Sequence, residues 1–461
     1  VTVAAELRPA SSAAVADRVV IIGGGASGTL TALNLLRTDP RVHVTVFEPT
    51  GRLGSGVAYG TTDARHLLNV RAGNMSAFPQ EPGDLLTWAE QTGRELSATD
   101  FLPRREYGEY LRDRLADTAG RRLRVIAERV EEITPVPGGY EVRGHAGAAA
   151  VSASVVLAHG NEAPGHLAIG GTPLPEAPWH VADPWNLSWI EALAPDATVV
   201  VVGTGLTAID TAISVLDGAP QRSVVMVSRH GLLPQAHIDC QCVAWVSALP
   251  SGPLTADQLA DLYQQQVEAA AEHGVNWHHV VDGFRGPTQS IWARLPLAER
   301  ERFLAVYARA WEVRRHRMAP QIAARLDAFQ AEGRLRVSSG GITGIEEASP
   351  YPLVRIGEAE VAAHAVVNCT GPQTDVTRSA NPVLSALLRR GLAAPDELRL
   401  GLSCTPQGEL LDAVGQIVPG LLTVGPPRKG TLYETTAIPE IRVQAAEVAA
   451  HLRGPRSRAT A

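Results

Sequence analysis

The stretch Arg18-Val-Val-Ile-Ile-Gly-Gly-Gly-Ala-Ser-Gly28 decides the fold. Its first five residues make a short, largely β-branched run of strand length, and the helix-like segment Thr29 to Arg37 follows the glycines at once. Val42 to Phe47 is a second such run, so Val19 to Glu48 has the length of one parallel βαβ crossover. A second copy opens near Thr198, with Val199-Val-Val-Val202, the turn Gly203-Thr-Gly-Leu-Thr-Ala208, a helix to about Leu216 and the strand Val224 to Val227. The sequence therefore predicts an α/β protein with two Rossmann-like dinucleotide-binding domains.

Outward from these units, helical patterns are expected near Leu85–Gln91 and Tyr107–Ala119, and Val155 to Ala158 returns the chain to the first sheet. From Leu254 to about Gln330, apolar residues recur at three- and four-residue spacing, as in Gln258–Ala271 and Phe303–Phe329, which predicts a helical insertion. Strands follow at Arg334–Val337, Leu353–Ile356, Ala365–Asn368 and Leu421–Val424, then a last helix over Pro439–Leu452. The expected division is a disordered leader (1–16), a first domain in two segments (17–190 and 376–455), a second domain inserted between them (191–375, with its helical insertion at about 250–330) and a loose tail (456–461).

Composition excludes several classes. The chain has 461 residues, 45% hydrophobic and 19% charged, with a formal net charge of −7. No concentrated basic face offers a nucleic-acid footprint, and no apolar run approaches the roughly 18 residues of a membrane span. Four cysteines without zinc or disulfide-framework spacing fit reduced thiols in a cytoplasm.

The motifs carry the chemistry. Gly23 permits the tight turn, Gly25 lets backbone approach a pyrophosphate, and Gly28 lets the helix pack on the strand. Glu48, 20 residues after Gly28, is the acidic partner expected for an adenosine ribose. In the second unit Gly203 and Gly205 repeat the turn, with Ala208 in the third place. Ser228 and Arg229 stand where the carboxylate would be, and a hydroxyl beside a guanidinium suits a 2′-phosphate. The simplest assignment of the two nucleotides is FAD at the first unit and NADPH at the second. Ser27 and Thr207, within the loops, join the cofactor-binding set, as do Gly425 and Thr435, which precede the last helix. Cys240-Gln-Cys242 is a CxC rather than a spaced redox pair, so small buried thiols are the simpler reading.

Further segments, including Gly54–Tyr59, His66–Val70, Pro103–Leu111, Ser228–Pro234, Trp311–Pro320, Asn368–Gly371 and Gly425–Arg442, resemble an FAD/NAD(P)-binding flavoprotein family. That family is related in architecture to class B flavin monooxygenases and flavin N-hydroxylases. Where many relatives have Thr, this chain has His159 before Gly160, and the FxGxxxHxxxW pattern of Baeyer–Villiger enzymes is absent. The resemblance implies an FAD-dependent, NADPH-consuming monooxygenase that takes dioxygen and a small molecule, with amine N-oxidation in view. An NADPH:acceptor oxidoreductase without oxygen insertion and a non-catalytic redox sensor remain open beside it.

Two catalytic candidates complete the set. Asn69 lies where a flavoprotein chain often passes the isoalloxazine, close to His66. Lys429 is the single lysine of the chain and sits in a Gly/Pro-rich loop. His316 and Arg317 are on a basic run whose first reading is a solvated or ion-paired helix face.

Overall fold

The structure is a computed structural model that describes residues 15–238, 243–245, 249–348 and 350–454. The leader is described only from Val15, whose carbonyl accepts from Ala153 N at 3.2 Å; residues 1–14, the tail beyond 454, and Cys240 and Cys242 lie outside the described residues.

The first βαβ unit forms as its sequence dictates, with β1 (Arg18–Ile22), α1 (Ala26–Thr38) and β2 (His43–Phe47). A long helix, α2 (Arg104–Ala119), then leads to β3 (Leu123–Ile126), and β4 (Ser154–Leu157) lies on the other side of β1. The second unit contains β5 (His180–Val181), β6 (Thr198–Val202), α3 (Leu206–Gly218) and β7 (Ser223–Val227). The helical insertion comes next as α4 (Ala256–Glu272), α5 (Trp277–Arg285), α6 (Thr288–Arg294), a π-helical turn at Phe303–Tyr307, α7 (Ala308–Arg315) and α8 (Pro320–Ala331). Thereafter come β8 (Leu335–Ser338), β9 (Ala365–Asn368), β10 (Glu409–Leu411), β11 (Ile417–Thr423) and α9 (Ile438–Arg453).

Two sheets organise these elements. One has the order β10-β11-β4-β1-β2-β3, parallel except for β10, and the other is β5-β9-β6-β7-β8, parallel throughout. The first thus draws strands from residues 18–157 and 409–423, and the second from residues 180–368. The strand His180–Val181, ahead of the expected boundary at 190, pairs with Val366 and Val367 of the second sheet. Central strands are apolar on both faces because both are covered: α1 and α9 pack on one face of the first sheet with Leu33, Leu36, Ala445 and Val448 in one core, and Ile133, Tyr140 and Val142 of antiparallel strands pack with Val383, Leu384 and Leu387 against Val20, Ile22 and Val155 on the other.

Two three-stranded antiparallel sheets form at residues 130–152 and 342–362, and of their strands only Leu353–Ile356 was expected from the sequence. The helix expected over Phe303–Phe329 is divided instead. The π turn opens it, and α7 stops at Arg315 because Pro320 starts a new helix at its first position and holds Ala319 extended (φ −61°, ψ 142°).

Candidate functional site

In both parallel sheets a glycine turn at the carboxyl end of the first strand of the unit leads into a helix, which is where open α/β sheets bind ligands. Gly23 has φ +98°, and a Cβ there would stand 2.5 Å from Ala158 O; a Cβ on Gly28 would overlap Gly23 O. Gly25 begins α1 with no side-chain cap, so the first N–H groups of that helix are left for an anion. A Cβ at Gly25 would meet only Gly56 Cα within 3.4 Å, which leaves the turn open to a phosphate-sized group.

The other members of the first set gather around this turn. Ser27 is buried, and a Cβ on Gly425 would come within 2.5 Å of its Oγ. Thr435 Oγ1 donates to Gly425 O at 2.9 Å and accepts from Gln444 Nε2 at 2.7 Å, while Gly425 N donates to Gln444 Oε1 at 2.9 Å. Gln444 was missed in the sequence; its signal is a lone amide on the face of α9 that also carries Ile441, Ala445 and Val448. Glu48 accepts from Gly24 N at 2.9 Å through Oε2 and from Thr50 Oγ1 at 2.9 Å through Oε1. Its carboxylate is thereby fixed at the mouth of the loop with lone pairs to spare.

The second turn repeats the backbone. Gly203 has φ +128° and a Cβ there would overlap Cys369 O, whereas a Cβ at Gly205 would meet nothing within 4 Å. Gly205 starts α3 without a side-chain cap. Thr207, half-buried in the first turn of α3, accepts at its carbonyl from Thr211 Oγ1. Ser228 Oγ lies 2.9 Å from Thr204 Oγ1 and accepts from Gly231 N at 3.0 Å. Arg229 beside it is exposed.

A residue that sequence reasoning missed completes this corner. Arg309, from α7, donates to Thr204 Oγ1 at 3.1 Å and to Leu232 O at 2.5 Å. Burial makes its guanidinium release its proton more readily than usual; Glu312 opposes that effect and the charge of Arg229 adds to it. Two arginines therefore face one hydroxyl-lined corner. No local signal announces Arg309, which is over a hundred residues from Thr204 in sequence.

Lys429 stands elsewhere, in a small polar pocket with Glu312, Arg315, His316, Tyr433, Glu434 and Glu440. Arg315 is buried and pairs with Glu434 at 2.7 Å. Burial, and then the charges of Arg315, Lys429, Arg285 and Arg317, pull His316 down to about 3, so it is uncharged at neutral pH. The basic run read as a solvated face is thus partly internal: Arg315 and Arg317 are both buried, and Arg317 pairs with Asp282. Asn69 is half-buried, and its carbonyl accepts from His237 Nε2 at 3.0 Å. His66 is not free to meet a ligand: its Nε2 lies 2.8 Å from Ser214 Oγ and its Nδ1 lies 2.9 Å from Thr61 Oγ1, which ties the first segment to α3.

The two open turns and the acidic residue after β2 are what a dinucleotide-binding chain should present. Residues 20–162 match the FAD-NAD(P)-binding family. No curated protein matches the chain significantly. Among solved structures, the FAD-bound cadaverine monooxygenase of Erwinia amylovora is similar at a TM-score of 0.65 and 12% identity, over 95% of this chain and 94% of that one. The L-lysine 6-monooxygenase of Pseudomonas syringae is similar at 0.61 and 18%, over 94% and 98%. The ornithine N-hydroxylase of Kutzneria, solved with reduced FAD, NADP⁺ and L-ornithine, is similar at 0.60 and 14%, over 94% and 98%. These likenesses establish the fold along nearly the whole chain. Among the described residues no group of acidic, His or Cys side chains could hold a metal, and no helix is long and apolar enough to cross a membrane.

Proposed function

We propose that the chain is an FAD-dependent, NADPH-consuming monooxygenase of the cytoplasm that oxidises a small amine. The observation that carries the reading is the pair of uncapped helix N-termini, finished by a carboxylate in the first sheet and by hydroxyls and arginines in the second. The named activities of the three similar structures, all amine or amino-acid oxygenations, support the reaction class.

In this reading Gly23, Gly25, Ser27 and Gly28 cradle the FAD pyrophosphate, Glu48 accepts from its ribose, and Gly425 and Thr435 flank the ring system. Gly203, Gly205 and Thr207 take the NADPH pyrophosphate, and Ser228 and Arg229 take its 2′-phosphate. Bound FAD would accept hydride from NADPH and supply the redox chemistry with dioxygen. The protein's own contribution is positional. The dipole of α9 begins at Ile438, just after Thr435 and Thr436, and stabilises negative charge on a ring held there. Lys429, half-buried and with no side-chain hydrogen bond or ion pair among the described residues, adds a positive charge to the same pocket. The Asn69 side-chain amide is a candidate donor on the opposite segment. The domain arrangement that goes with this reading is a second domain (191–375) inserted between two segments of the first (17–190 and 376–455).

The test is anaerobic reduction of the FAD-loaded protein by NADPH, followed by admission of oxygen with an amine present. The reading expects flavin bleaching and amine-dependent formation of an oxygenated product. Bleaching with peroxide as the sole oxygen product for every amine tried would favour an acceptor oxidoreductase, and no bleaching at all would remove the enzyme reading.

A further inference from the structure

The helical insertion and Tyr433 line a partly open cavity of about 230 Å³ that neither nucleotide turn requires. Its main walls are aromatic: Tyr263, Phe284, Trp292, Phe303, Trp311 and Tyr433. The rings brace one another. Trp311 stands perpendicular to Tyr263 with centroids 5.9 Å apart, Trp292 stacks on Tyr433 at 4.5 Å, and Phe303 meets Tyr433 edge-on at 5.5 Å. Apolar cavities of ~150 Å³ already admit a benzene ring.

Charge narrows the occupant. None of the lining residues is a carboxylate, and the one formal charge is Arg314, which is exposed. An ammonium inside would be desolvated with no counter-ion. The end marked by Tyr433 is different. This residue is 7% exposed, adopts a left-handed backbone (φ +59°) that costs a non-glycine residue energy, and its hydroxyl has no hydrogen-bond partner among the described residues. It lines both this cavity and the polar pocket. There Arg315 pairs with Glu434 and Arg285 with Glu440, which leaves Glu312 as the carboxylate without an ion pair among the described residues, in a pocket it shares with Lys429 and the uncharged His316.

The geometry points to an arylalkylamine as the substrate class, its aromatic body in the cavity and its amine past Tyr433 toward Glu312. This rests on the reading of the chain as an amine-oxidising flavoprotein, and it sets the chain apart from the cadaverine, lysine and ornithine named for the similar structures. A linear diamine of that kind would have to leave its second ammonium among the rings.

Trp292 and Trp311 report on the cavity directly, so the experiment is titration of their fluorescence in the FAD-loaded protein with 2-phenylethylamine and with cadaverine. 2-Phenylethylamine is expected to quench and to bind at least roughly tenfold more tightly than cadaverine. Ala260→Phe, which fills the cavity from α4, should weaken it by roughly tenfold again while flavin absorbance per protein stays unchanged. Equal or tighter cadaverine binding overturns the inference in the wild-type protein alone, and so does unchanged 2-phenylethylamine affinity in a folded Ala260→Phe protein. A protein that binds no flavin yet keeps the preference and its sensitivity to Ala260→Phe would support the cavity assignment while removing the flavin reading.

Discussion

Gly23 and Gly203 occupy equivalent turns, with φ of +98° and +128°, and in each a Cβ would strike the carbonyl just past the neighbouring strand, that of Ala158 or Cys369. Each turn ends in a helix whose N-terminus no side chain caps. The two units part at the end of the second strand. After β2 a carboxylate, Glu48, bonds back to Gly24; after β7 a hydroxyl, Ser228, bonds back to Thr204, with Arg229 and Arg309 around it. In the proposed reading the labour is divided: strand, glycine and helix make a pyrophosphate seat that is the same twice, and one or two side chains at the next strand's end would distinguish the riboses.

The likeness of the two units breaks most completely at the seat itself. Gly25→Val places a branched side chain where only Gly56 Cα is near, so the chain should fold and yet be colourless; a yellow protein would place FAD elsewhere. At the second seat the effect is graded. Arg229→Ala and Arg309→Gln each remove a charged donor, and such hydrogen bonds contribute about 1.5–3 kcal/mol, or about 10- to 100-fold in Kd. The loss should appear for adenosine 2′,5′-bisphosphate and not for AMP in calorimetric titrations; equal losses for both would cancel the 2′-phosphate assignment.

The smallest effect concerns pH and the pocket beyond both seats. His316 titrates at about 3 in the folded chain against the usual 6.5, and burial likewise takes His159 and His237 down to about 4. Below 6.5 the unfolded chain binds protons that the folded chain refuses, so stability is full above that pH and falls as pH drops toward the folded values. His316→Gln should therefore show a shallower fall in Tm between pH 6.5 and 4.5 than the wild type. Parallel curves would mean that His316 is charged in the folded protein.

Much of this was legible in the sequence for a physical reason. Buried parallel strands are apolar on both faces, so Arg18–Ile22 and Thr198–Val202 announce themselves, and the turns need glycine at fixed places. Apart from Leu353–Ile356, the antiparallel strands at 342–362 mix exposed and half-buried residues, as in Ala359–Ala362, and gave no such run. Among site residues, Ser27, Gly425 and Thr435 do converge, but the residue that joins two of them, Gln444, is in a different helix. Arg309 and Tyr433 were invisible for the same reason: their partners come from tertiary packing, and nothing in their own neighbourhoods encodes it.

The polar pocket also has an unusual practical property. With one lysine in the whole chain, an amine-directed acyl reagent has, apart from the terminal amine, a single address, and that address is Lys429. A fluorinated or fluorescent acyl group could thus be installed beside Tyr433 without any engineered cysteine, giving a reporter whose signal comes from the junction of the two cavities.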